Sequence, residues 1–120
     1  KSSRPFIPYI EETLSPDETV LILGDSGYVH FFSDRHPPIR QFYFYHIDKA
    51  GKELGKKYAG ELLQAAESAS ADMIIMDTGM WKNSILMHHL EIKEKFEDAV
   101  NSNYVLDHVF RNANAYLKID

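Results

Sequence analysis

The chain has 120 residues, 44% of them hydrophobic and 26% charged, and carries a formal net charge of −5. Such a length and balance suit one globular domain that buries its own core, and they exclude a disordered chain. The acidic balance, with no basic run longer than Lys56-Lys57, argues against a nucleic-acid partner; the absence of cysteine excludes disulfides and thiolate zinc sites, and no apolar stretch nears the roughly 20 residues that span a bilayer.

Ile7, Ile10 and Leu14 recur at helical spacing while Glu11 and Glu12 face away, which predicts a short amphipathic helix closed by Pro16-Asp17. Thr19 to Leu23 is a continuous apolar run of strand length, the pattern of a central parallel strand covered on both faces. It ends in the polar turn Gly24-Asp25-Ser26-Gly27, and Tyr28, Phe31 and Phe32 then fall on one face of a short helix. Asp34-Arg35-His36-Pro37-Pro38 cannot continue a helix, because proline lacks the donor and restricts its predecessor. Gln41 to Tyr45 reads as a second strand. A helix follows from about Lys52 to Ser68, with Leu54, Tyr58, Leu62, Ala65, Ala66 and Ala69 inward.

Met73 to Met76 is a third strand ending at Asp77-Thr78-Gly79, and a helix from about Leu90 to Ser102 turns Ile92, Phe96, Ala99 and Val100 inward. Two β-runs close the chain, Tyr104 to Phe110 and Ala115 to Ile119, joined through Arg111-Asn112-Ala113-Asn114 as an antiparallel hairpin at a sheet edge. Three βα units with right-handed crossovers predict a three-layer Rossmann-like α/β sandwich. Its sheet should hold about five strands, mostly parallel, with the hairpin at the C-terminus. Residues 1–120 read as one soluble domain. The start at Lys1, without Met, suggests a fragment of a larger protein.

The turn at Gly24 to Gly27 is well placed for function, since open α/β sheets bind ligands beyond the carboxyl ends of their strands. It lacks the glycine spacing of a dinucleotide fingerprint and the Lys of a phosphate-binding loop. The strand with Gly-Asp-Ser also resembles the nucleophile block of SGNH (GDSL-type) ester hydrolases, with Ser26 as nucleophile. The Asp-x-x-His and Gly-x-Asn-Asp blocks of those enzymes are missing, and Asp107-His108 has the wrong spacing for the first. Asp25 and Asp77 both follow strands and are of a type that can hold Mg²⁺, but nothing else in the sequence supports a metal. The six histidines include no His-x-x-x-His pair, and no cofactor is expected. Arg35, His36 and Arg40 surround a rigid Pro-Pro, and arginine suits bidentate recognition of phosphate or carboxylate. Trp81 follows the third strand and can stack on a sugar or simply cover a core edge.

Pro16-Asp17, the strand ending at Gly24, the aromatic segment Tyr28-Val29-His30-Phe31-Phe32, and then Arg35, Pro38 and Arg40 form a pattern. It resembles the C-terminal extracytoplasmic domain of GT-C-class membrane glycosyltransferases, the relatives of protein mannosyltransferases and aminoarabinose transferases. Leu23 stands where many members have Trp. The resemblance implies a periplasmic or cell-surface accessory domain tethered to the transmembrane part of the same polypeptide. The parent would transfer sugar from a polyprenyl-phosphate donor to a lipid, glycan or protein acceptor. The family's catalytic carboxylate lies in an early extracytoplasmic loop that this chain does not contain, so no catalytic residue is implied here. The ligand-contacting candidates are Asp25, Ser26, Tyr28, Arg35, His36, Arg40 and Trp81, with lipid-linked sugar or acceptor as ligand. Besides the ester hydrolase, the other alternative is a non-catalytic domain that binds a protein or glycan.

Overall fold

The computed structural model describes residues 6–24, 41–46, 52–78 and 89–119. In chain order they form α1 (Phe6–Thr13), β1 (Thr19–Gly24), β2 (Gln41–His46), α2 (Lys52–Ser68), β3 (Met73–Asp77), α3 (Leu90–Asn103), β4 (Tyr104–Val109) and β5 (Ala113–Lys118). The strands make one mixed sheet in the order β2-β1-β3-β5-β4. β1 pairs in parallel with both β2 and β3, whereas β5 runs antiparallel to β3 and to β4.

The apolar runs of β1 and β3 are buried on both sides, and the period of two sorts them between two cores. Leu21, Leu23, Ile74 and Met76 pack against Ala59, Leu62 and Ala66 of α2 and Phe96, Ala99 and Val100 of α3. Val20, Ile22, Met73 and Ile75 face the other way and pack with Tyr9 and Ile10 of α1, Leu14, and Phe110, Ala113 and Ala115 of the hairpin. Among the inward positions expected of α2, Leu62 and Ala66 are buried, Ala65 and Ala69 are partly buried, and the side chains of Leu54 and Tyr58 lie outside the described residues.

Helix α2 ends at Ser68, so Ala69 belongs to its cap rather than to its inner face. Ala69 takes the left-handed conformation (φ 49°). Its N–H donates to Ala66 O (3.3 Å), and the Ser70 N–H donates to Ala65 O (3.2 Å), the pair of bonds that satisfies the last carbonyls of a helix when a glycine normally stands at this point.

One expectation about the sheet needs correction: it is evenly mixed rather than mostly parallel. The antiparallel hairpin does close one edge of the sheet, with β5 beside β3 and β4 outermost. The side chains give the reason: β5 carries buried Ala113 and Ala115, small enough to lie beneath α1 in the sheet interior, whereas β4 is largely exposed. The turn is also tighter than Arg111 to Asn114. Ala113 pairs with Asp77 and Asn114 with Met76, so both belong to the strand, and the Phe110 N–H reaches Ala113 O at 2.7 Å around Arg111-Asn112. A β-bulge falls between Leu106 and His108, where β4 carries one residue more than β5.

Candidate functional site

The strand order reverses at β1. β1 lies between β2 and β3, parallel to both, so the chain moves to one side of β1 for its second strand and to the other for its third. In open α/β sheets ligands bind beyond the carboxyl ends of the strands that flank such a reversal, which here are the ends of β1 and β3 at Gly24 and Asp77. Gly24 pairs with His46 of β2, and Leu23 with Met76 of β3. Because β5 is antiparallel to β3, the hairpin turn sits at the same end of the sheet as Asp77. The Thr78 N–H donates to Asn112 O at 3.0 Å and ties the turn to the end of β3. The rim therefore brings together Gly24, half-buried Asp77, and exposed Thr78, Arg111 and Asn112. Of these groups, the guanidinium is of a type that binds phosphate, whereas the carboxylate, hydroxyl and amide suit the hydroxyls of a sugar.

The opposite end of the sheet is laced shut. Asp72 Oδ2 accepts from the Thr19 N–H (2.9 Å), and Asp72 O accepts from the Lys118 N–H (3.0 Å). Tyr104 OH donates to Ala71 O at 2.6 Å, and Asn103 Nδ2 donates to Ala66 O (2.9 Å) at the end of α2. Burial pushes the Tyr104 phenol up to about 12, and the nearby Asp72 charge adds to the rise. These groups join β1, α2, β3 and the hairpin at one node.

The residues singled out from sequence, Asp25, Ser26, Tyr28, Arg35, His36, Arg40 and Trp81, lie outside the described residues. Their described neighbours show where the chain leaves and rejoins the sheet. It leaves β1 at Gly24 and β3 at Thr78, both at the carboxyl end, and re-enters at Gln41, paired with Thr19 at the amino end. Nothing in the sequence marks Arg111 and Asn112 as rim residues. Their sequence signal is that of a turn, and only the antiparallel docking of β5 on β3 carries them to the rim.

Asp107 and His108 serve packing. Tyr9 OH donates to Asp107 Oδ2 at 2.7 Å, and the rings of Tyr9 and His108 stack with centroids 5.1 Å apart. His108 lies three strands from β1, about 14 Å at the usual strand spacing, so it is poorly placed to act at the end of β1. Among the described residues no group of three His, Cys, Asp or Glu side chains could hold a metal ion, and no helix is long and apolar enough to cross a membrane. Comparison with protein-family models, with curated proteins and with solved structures finds no match to this chain.

Proposed function

We propose that this chain is an extracytoplasmic accessory domain of a GT-C-class membrane glycosyltransferase. In this reading it presents the carboxyl-end rim, from Gly24 through Asp77 to Arg111, to a lipid-linked sugar phosphate or an acceptor. The observation that carries the binding role is the strand-order reversal at β1, with Asp77, Thr78 and Arg111 gathered beside it. The family reading rests on the Pro16-Asp17, Gly24 and Arg35-to-Arg40 pattern. A three-layer Rossmann-like core fits it, since α1 covers one face of the sheet and α2 with α3 the other. The domain itself is non-catalytic; the reaction belongs to the transmembrane part of the same polypeptide, on the periplasmic or cell-surface side.

The reading is tested on the gene and on the parent protein. A multi-span membrane segment encoded ahead of Lys1 supports it, and a gene without one overturns it. In the full-length parent, Arg111→Ala should raise KM for the lipid-linked donor or the acceptor several-fold while leaving the expressed amount unchanged. An unchanged KM for both substrates would remove the rim from the binding role. The ester-hydrolase alternative gains nothing from the geometry, because Asp107 and His108 are held under α1.

A further inference from the structure

The exposed edge of the sheet has a symmetry of its own. β4 is the outermost strand on the hairpin side, and among the described residues nothing pairs with its outer edge. It carries neither Lys nor Pro, the usual guards of an edge strand. It exposes Val105 (54%), Leu106 (49%) and Val109 (51%), three of the five large apolar side chains that stand out in solvent among the described residues.

The bulge changes the order in which β4 addresses its two faces. Val105 pairs with Leu117, which packs on the α1 side, and Leu106 pairs with Tyr116, which packs on the side of α2 and α3. Asp107 and His108 both touch Tyr9 of α1, so these consecutive residues share the α1 side. Val109 pairs with Asn114, whose neighbours Ala113 and Ala115 face α1, so Val109 is on the side of α2 and α3. Phe110 returns to the α1 side. From Val105 to Phe110 the pattern reads the same in both directions, with its centre between Asp107 and His108.

We propose that β4 is a self-association edge, on which two copies of this chain pair antiparallel about a two-fold axis between Asp107 and His108. In an antiparallel pair, opposed residues lie on the same face, and the palindrome meets that condition at every position. Leu106 then faces Val109 of the second copy, Val105 faces Phe110, and Asp107 faces His108, each contact occurring twice. A regular strand would place its axis through a residue, and an axis through Asp107 would set two carboxylates against each other; the extra residue of the bulge replaces that repulsion with an acid–imidazole pair. The interface is short, at the small end of specific interfaces, so the dimer is weak and depends on concentration. This inference stands independently of the glycosyltransferase reading.

Sedimentation equilibrium of the 120-residue chain between about 1 μM and 1 mM tests it. The average mass should climb from one chain toward two, and Leu106→Lys and Val109→Lys should each hold it at one chain while the circular dichroism and melting curve are kept. The chain has no cysteine of its own, so the register can be read by cross-linking. The double variant Leu106→Cys/Val109→Cys should form a covalent dimer on oxidation. Leu106→Cys alone should not, because residues 106 of the two copies are offset by about 10 Å along the strand, beyond the reach of a disulfide. A mass that stays at one chain, a dimer that survives both lysine substitutions, or equal cross-linking of the single variant would overturn the proposal.

Discussion

The two faces of the sheet are covered by different means. On one, α2 and α3 approach closely because Ala59, Ala66 and Ala99 leave room, and Leu62 and Phe96 fill what remains. On the other, α1 has only eight residues, too few to persist as a helix without packing. It is held by what lies beneath it: Tyr9 bonds to Asp107 and stacks on His108, Phe6 and Tyr9 meet the Phe110 ring at 4.5 and 5.2 Å, and Ile10 and Leu14 are buried. The first face rests on small residues that let helices close in; the second rests on an aromatic clasp at the bulged edge strand. The α2/α3 face should therefore carry more of the global stability, and α1 should open first.

Phe96→Ala would break the first face hardest. Phe96 is fully buried between sheet and helices, and its truncation should cost about 3–5 kcal/mol in denaturant unfolding; a loss under 1 kcal/mol would mean that this face collapses around the cavity. Tyr9→Phe keeps the ring and removes the donor to Asp107, so it should cost about 1.5–3 kcal/mol, as for a bond to a charged acceptor. It should also speed amide hydrogen exchange in α1 more than in α2; equal acceleration in the two helices would deny that the clasp is local.

Smaller effects sharpen the contrast at the amino end of the sheet. Tyr104→Phe leaves Ala71 O without its donor and should cost about 1 kcal/mol. The phenol of Tyr104 is about 12 in the fold against 10.0 ordinarily. The fold thus favours the neutral form, whose stabilising contribution is complete below pH 10 and is lost as pH rises through about 12. A melting series over that window should show a decline that Tyr104→Phe reduces. Ala69→Gly should stabilise by roughly 1 kcal/mol, since it relieves a left-handed alanine at the end of α2. A destabilised variant would mean that the Ala69 methyl contributes more to the core than its backbone costs.

Much of this architecture is legible in the residues. Lys52 to Ser68 and the runs of β1 and β3 declare themselves because their periodicity is local and strong. The hairpin turn is misread because Asn112 and Asn114 carry the same turn chemistry. Pairing of Ala113 with Asp77, thirty-six positions earlier, decides between them, and no local pattern reports it. The bulge at Asp107 is hidden for the same reason, since it exists only relative to β5. At the candidate site, the end of β1 is readable from its apolar run and glycine. Arg111 is not, because its position depends on which strand of the hairpin docks on β3.

Titration of the ¹⁵N-labelled domain with a short-chain polyprenyl phosphate, followed through its amide resonances, decides whether the proposed rim at the carboxyl ends of β1 and β3 binds ligand. Saturable shifts are expected at Gly24, Asp77, Thr78, Arg111 and Asn112, weakened by Arg111→Ala. Shifts confined to Thr19, Asp72 and Asn103 at the opposite end, or no saturable shift at all, would remove the rim from any binding role.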